Sequence, residues 1–260
     1  MDLFKLKKDL QNLGIKLTDT IVVHSSYKAL IRCNKGSTEK FDGGPQSVIE
    51  ALKETVKSGT LMLPTLSYET VTPENRVFDV LNTPSCVGIL PEIMRKTEGV
   101  FRSAHPTHSI AVWGKDAQEI ADTHIKDFTP VGPNSPLHEL KRRKGKILML
   151  GCDLEPNTSM HGIEEMVIPD YLYGRNYDYE LILADGRRIK TDILSHGFDG
   201  VMQRYDRILD VLDKTDYTYG KVLNADCYVL DAQAVWEKAL NKLKENVLYF
   251  IDKETEGKES

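Results

Sequence analysis

The residues with the clearest chemical content lie in the stretch LGCDLEPNTSMHGIEEM, Leu150 to Met166, where Thr158, His161, Glu164 and Glu165 are spaced by three, three and one. Asn157 or Thr158 is a good helix N-cap, and from there His161, Glu164 and Glu165 fall at i, i+3 and i+4 on one helical face. On such a face a carboxylate can hold or polarise an imidazole, and an imidazole titrating near neutrality suits general-base work. The same residues also suit a metal site, or a plain capped helix whose acidic first turns complement its dipole with His161 as a bystander.

Rival chemistries draw on neighbouring residues. His24, His105, His108 and His161 are available imidazoles, but no HxxxH or HxH pair falls on a recognisable helix or strand, and HPTH sets His105 and His108 around a proline in a loop. No metal is expected from that spacing. Cys152 shares a strand-exit loop with His161, as a nucleophile and its base would, yet Asp153 and Glu155 beside it raise rather than lower a thiol pKa. The third reading is His161 as a base with no covalent intermediate. Upstream, Thr83, Pro84, Ser85 and Gly88 precede a helix and would aim free backbone N–H groups at an anion, and Arg102 and Ser103 add a cation and a hydroxyl. A capped turn and a strand cap explain the same residues.

The elements that must carry these groups read as α/β. Leu3, Leu6, Leu10 and Leu13 fall at helical spacing before Gly14, TIVVH reads as a buried strand, Pro45 opens a helix with Val48, Ala51 and Leu52 inward, and TLMLPT is the next strand. Alternation continues through GILPEIMRKTEG, SIAVWG, DAQEIAD, PLHELKR and KILMLG. It predicts a central sheet, largely parallel or mixed, covered by helices on both faces. YDYELILADGRRIKTDI predicts an antiparallel hairpin about Asp185-Gly186, added to that sheet or to a lid, followed by helices at DGVMQRYDRILDVL and AQAVWEKALNKLKE. Ligands of open α/β sheets bind beyond the strand carboxyl ends, which places VVHSS, LPTLS and the loop up to His161 around one crevice.

The chain of 260 residues, 40% hydrophobic and 28% charged, reads as one α/β domain over 1–252 with a polar, disordered tail over 253–260. A net charge of -5 and a pI near 5.8 argue against nucleic acid and admit a cationic ligand. The N-terminus has no apolar signal region, no window is long enough to span a bilayer, and Cys33, Cys86, Cys152 and Cys227 lack CxxC spacing. A cytoplasmic protein with reduced thiols and no membrane partner is the expectation.

Taken in order, VVHSSYKAL, GTLMLPTLS, FDVLNTPSCVGILPE, GVFRSAHPTHSIAVWG, GPNSPLHEL and GKILMLGCDLEPNTSMHGIEE resemble the aminoglycoside 3-N-acetyltransferase family, over roughly residues 5–250 and most densely from 20 to 165. The resemblance implies acetyl-coenzyme A as donor, an α/β fold unlike the smaller common acetyltransferase fold, and transfer to the 3-amino group of an aminoglycoside. It implies that His24, Ser25, Ser26, Thr83, Ser85, Val87 and Gly88 cradle the coenzyme, with Arg102, Ser103, His105, Pro106, His108 and Ser109 lining the same cleft. It makes His161 the catalytic base, Glu164 the carboxylate that orients it, and Thr158 the hydrogen-bond donor to the oxyanion or departing thiolate. Glu69, Asp79, Asp153 and Glu165 are the acids available to a polycationic acceptor. The alternatives are an acetyltransferase for another amine, such as an amino sugar of a natural product, or a catalytically silent coenzyme A or ligand-binding protein, in either case a monomer or homodimer.

Overall fold

The computed structural model describes residues 2–32 and 43–254. Cys33 and residues 255–260 of the expected tail lie outside the described residues. Helix α1 (Asp2–Asn12) forms on the leucine spacing: Leu6 and Leu10 are fully buried while Leu3 is 44% exposed, and Gly14 at φ +89° ends the run. Glycine adopts that backbone region without steric cost. Then come β1 (Thr20–Ser25), α2 (Tyr27–Ile31), α3 (Pro45–Thr55), β2 (Thr60–Pro64), β3 (Val77–Asp79), α4 (Ile89–Met94), β4 (Val100–Arg102), β5 (Ile110–Gly114), α5 (Ala117–Thr123), α6 (Pro136–Arg142) and β6 (Lys146–Leu150). The chain continues with α7 (Ser159–Glu164), β7 (Tyr173–Ile182), β8 (Arg188–His196), β9 (Val201–Gln203), β10 (Tyr217–Val222), β11 (Ala225–Asp231), α8 (Ala232–Glu245) and β12 (Ile251–Lys253).

A seven-stranded sheet runs in the order β10-β11-β6-β1-β2-β5-β4. Only its centre is parallel: β1 pairs in parallel with β6 and with β2, while β5, β4, β11 and β10 are antiparallel to their neighbours. The sheet is mixed. Its two faces bury separate cores. Ile21 and Val23 of β1 pack with Leu6, Leu10, Val48, Leu52 and Leu90 of the helices on one side. Val22 packs with Ile120, Leu140, Ile163 and Trp236 on the other. Burial on both faces is why the central strands read as unbroken apolar runs rather than alternating ones. Strand β1 is the switch point of the winding, because the chain leaves it through α3 to β2 on one side and returns through α5 and α6 to β6 on the other. A crevice opens beyond the carboxyl ends of the strands at such a point.

The predicted hairpin is present, turning at Asp185-Gly186 with Gly186 at φ +83°. It joins neither the central sheet nor a detached lid: β3 pairs in parallel with β7, making a separate three-stranded sheet over its own core of Phe78, Tyr179, Leu181 and Ile193. The helix expected at DGVMQRYDRILDVL is absent. Its residues form β9 and a 3-10 turn over Tyr205–Asp210. Strand β9 pairs with β12, the Arg204 N–H donates to the Phe250 carbonyl at 2.8 Å, and Arg204 and Arg207 both bind Asp252. Partners some fifty residues away outweigh a local helical spacing, which is a weak determinant by itself. Lys253, assigned by sequence to the tail, is the last residue of β12. Among the described residues no helix is long and apolar enough to cross a membrane.

Helix α7 is only six residues long and is held from behind by α8. The approach depends on Gly162, where an added Cβ would meet Trp236 Cη2 at 2.6 Å and Val131 Cγ1 at 2.7 Å. Gly162→Ala should overpack this contact and destabilise the protein by about 1–3 kcal/mol, read as a lower urea midpoint. An unchanged midpoint would mean that α7 can slide away from α8, and its neighbour His161 with it.

Candidate active site

A cavity of about 660 Å³ opens at the switch point, within the usual range for small-molecule sites. His24 and Ser25 reach it from the end of β1, Pro64 from β2, Glu155, Pro156 and Thr158 from the loop after β6, His161 from α7, and Ser195 to Phe198 from the end of β8. The sequence-predicted strand-exit loops therefore do share one crevice. The second sheet supplies the opposite wall, including Tyr177 and Tyr179 of β7.

Beneath the cavity floor Glu164 is fully buried. A carboxylate in that setting needs hydrogen-bond donors to offset its lost hydration. Two tyrosines supply them: Tyr171 Oη donates to Glu164 Oε1 at 2.9 Å and Tyr205 Oη to Oε2 at 2.6 Å. Burial, reinforced by the charge of Glu164, pushes the Tyr205 hydroxyl well above its ordinary pKa, so the proton stays on the phenol. Having given that proton to Glu164, Tyr205 can only accept from His161 Nδ1, 3.0 Å away. Neutral His161 is thereby held with Nδ1 protonated and a lone pair on Nε2. Direct contact between Glu164 and His161 is looser, at 3.7 Å from Oε2 to Nδ1. The expected Glu164–His161 coupling thus runs mainly through Tyr205. Sequence spacing could not reveal Tyr205 or Tyr171, because both come from segments outside α7.

Around His161 stand three more aromatic rings: His196 at 4.9 Å between centroids, Phe198 at 5.3 Å and His108 at 5.7 Å. His196 Nε2 bonds Glu165 Oε1 at 2.9 Å, and Glu165 also accepts the Val131 N–H at 2.8 Å and the Thr129 hydroxyl. Glu165 therefore belongs to the buried frame, and burial raises its carboxyl pKa. Thr158 lines the cavity and its hydroxyl caps no helix N–H. Asn157 does that work instead, accepting the Ser159 N–H at 3.2 Å.

The residues assigned to a coenzyme cradle divide into two groups. His24, Ser25 and Val87 line the cavity, Ser26 sits next to them as the N-cap of α2, and Ser85 and Gly88 precede α4. Thr83, Arg102, Ser103 and His105 do not face it. Arg102 is buried and spends its guanidinium on Thr65, Ser109 and the carbonyls of Val80, Thr83 and Thr65, over the Phe78 ring. Thr83 Oγ1 accepts the Asp79 N–H at 2.8 Å. Ser103 Oγ bonds His124 at 2.9 Å, and His105 Nδ1 accepts the backbone of Thr107 and His108. These residues shape the loop that presents His108; each nitrogen of the buried Arg102 guanidinium already bonds a protein acceptor. Of the acids, Glu69 and Asp153 are exposed and outside the cavity lining, and Asp79 caps its own turn at Leu81 and Asn82. Glu155, not singled out as an acceptor ligand by the sequence, is the acid that lines the cavity among the described residues. Cys152 packs against the core instead of lining the cavity, and burial followed by the charge of Asp153 pushes its thiol up to about 12, the reverse of what a thiolate nucleophile needs.

A lone pair on a fixed imidazole, facing a cavity large enough for the reacting ends of two substrates, defines a site able to take a proton from a nucleophile bound there. The family described as aminoglycoside 3-N-acetyltransferase matches residues 22–244, and the chain belongs to that family. Aminoglycoside N(3)-acetyltransferase IX of Micromonospora chalcea is 30% identical, with 91% of each chain covered. Aminoglycoside N(3)-acetyltransferase IV of a Salmonella species is 30% identical over 93% of this chain and 87% of the relative. Among solved structures, a mutant of aminoglycoside acetyltransferase AAC(3)-IVa in complex with a gentamicin superposes with a TM-score of 0.78 at 26% identity, covering 95% of this chain and 90% of the other.

Several histidines around the site are buried and neutral: burial lowers His24 to about 3 and His124 to about 4, and holds His105, His108 and His196 well below the ordinary value. These are folded-state values depressed below the unfolded one, so the unfolded chain binds the extra protons. Their contribution to stability is complete above about pH 6.5 and is lost as pH falls toward 4, each group adding up to about 1.4 kcal/mol per pH unit to the slope. His124→Asn should flatten the dependence of the urea midpoint on pH between 6.5 and 4.5. An equal slope in variant and parent would assign the acid sensitivity elsewhere.

Proposed function

We propose that the chain transfers the acetyl group of acetyl-coenzyme A directly to an amine, the 3-amino group of an aminoglycoside, with His161 as general base. The observation that carries this is the chain of hydrogen bonds from Glu164 through Tyr205 to His161 Nδ1, which leaves Nε2 to accept a proton from the cavity side. Family membership and relatives named for N(3)-acetylation support the acceptor, as does the gentamicin complex of AAC(3)-IVa.

An aliphatic ammonium cannot attack a thioester until it loses a proton. His161 Nε2 takes that proton; the amine lone pair then forms the C–N bond and the C–S bond breaks, and as the amide forms nitrogen gives its second proton to the departing sulfur, so that coenzyme A leaves as the thiol. The imidazolium formed on His161 is stabilised through Tyr205 by the Glu164 charge. Thr158, with its hydroxyl uncommitted to the helix start, is the donor for the tetrahedral oxyanion or the departing sulfur. For the donor substrate the fit rests on the end of β1: His24 lines the cavity and its Nε2 is buried without a partner among the described residues, and Ser25 stands next to it. Held neutral by burial, His24 offers a hydrogen bond there without adding a charge. Val87 and Pro91 give this side of the cavity an apolar wall.

One observation favours a second acceptor class. Among the described residues the cavity lining holds one acid, Glu155, against the rings of Tyr68, Tyr177, Tyr179 and Phe198. That lining suits an amine carrying fewer charges and more apolar surface than a polycationic antibiotic.

Coenzyme A thiol release from acetyl-coenzyme A, measured across aminoglycosides with and without a free 3-amino group and across simpler amines, separates the two. His161→Ala should lower kcat by about 10²–10⁴-fold with coenzyme A binding retained, Tyr205→Phe should lower kcat about tenfold or more at similar KM, and Cys152→Ala should leave both unchanged. Full activity in His161→Ala, or an acetyl group trapped on Cys152, would overturn the mechanism.

A further inference from the structure

Spacing along the chain offers no pair of histidines suited to a metal, but folding assembles three. His108 comes from the loop before β5, His161 from α7 and His196 from the end of β8, and all three line the cavity. One ring nitrogen from each can be chosen so that the three lie within 4.8 Å of one another. His196 is the member that no local pattern could supply, because it arrives with the second sheet.

One nitrogen of every ring is already engaged. His196 Nε2 bonds Glu165 Oε1 at 2.9 Å, His161 Nδ1 bonds Tyr205 Oη at 3.0 Å, and His108 Nδ1 bonds Thr107 Oγ1 at 2.8 Å. Metal-binding histidines are oriented by such contacts, with a carboxylate or another polar group fixing the ring and its tautomer. Among the described residues each ring is left with one nitrogen free of a protein hydrogen bond, and that of His196, Nδ1, is buried without a partner there. A buried polar atom with no partner is uncommon and points to a ligand.

We propose that His108, His161 and His196 form a three-imidazole site for a divalent transition metal of the zinc type, and that metal there and acyl transfer exclude each other. Three histidines with an open fourth position are a recognised zinc donor set, and imidazole favours zinc, copper and nickel over magnesium or calcium. Zinc–nitrogen bonds of about 2.0–2.1 Å put two ligands of a tetrahedral ion about 3.4 Å apart, so the rings draw together on binding. The cavity lets them do so by side-chain rotation, His161 remaining hinged on Tyr205 and His196 on Glu165. Coordination uses the His161 lone pair that the base needs, which makes occupancy inhibitory.

The site rests on geometry alone and is tested without substrate. Chelator-treated, dialysed protein is titrated with Zn²⁺ by calorimetry and with Co²⁺ by visible absorption. One saturable equivalent with tetrahedral Co²⁺ bands is expected. His108→Gln and His196→Gln should each weaken binding at least about tenfold, and Glu165→Gln by about 10–100-fold through the orientation of His196, with the metal-free melting temperature of each variant checking its fold. Where turnover is measurable, Zn²⁺ should abolish it reversibly to chelator. No saturable equivalent in the parent protein, or undiminished affinity in both His108→Gln and His196→Gln, would overturn the site.

Discussion

The active centre depends on one buried charge. Glu164 lies with no exposed surface on a six-residue helix, and the fold must satisfy it or lose stability. The answer is a phenol on each oxygen, Tyr171 from the segment just before β7 and Tyr205 from the turn after β9. Because a phenol has one proton to give, the bond to Glu164 decides what Tyr205 can offer His161, and hence where the lone pair of His161 points. Electrostatic satisfaction of one carboxylate thus fixes the tautomer of an imidazole that the carboxylate itself scarcely touches.

Distant parts of the chain hold that arrangement in place. The 3-10 turn bearing Tyr205 is held by β9 against β12 and by Arg204 and Arg207 on Asp252. Helix α7 is set against α8 at Gly162, where the indole of Trp236 leaves no room for a side chain. The second sheet brings His196 and Phe198 over His161 from above, and the loop braced by Arg102 and Ser103 delivers His108 from the side. The neutral imidazoles near His161 follow from the same burial and add no positive charge beside its ring.

What the sequence made legible was local. The leucine spacing of α1, the apolar runs of β1, β2, β5 and β6, the Asp-Gly turn and the whole of α8 were readable because period and capping declare them. The helix expected over residues 199–212 failed because β12 and Asp252 lie far along the chain. The site divided in the same way. Thr158, His161 and Glu164 share one segment, where spacing alone left a plain capped helix open and the family resemblance singled them out, whereas Tyr171, Tyr205 and His196 reach His161 only through tertiary packing. Arg102 misled because an arginine in a strand-exit region looks the same in sequence whether it faces a phosphate or five protein acceptors.

The role of His161 turns on the protonation state of its ring, which the ¹⁵N shifts and long-range couplings of the imidazole report near neutral pH. Neutral His161 should be the Nδ1–H tautomer, with Nε2 unprotonated, and that preference should be lost in Tyr205→Phe. An Nε2–H tautomer in the parent protein would place the lone pair toward Tyr205 instead of the cavity and would contradict His161 as the base.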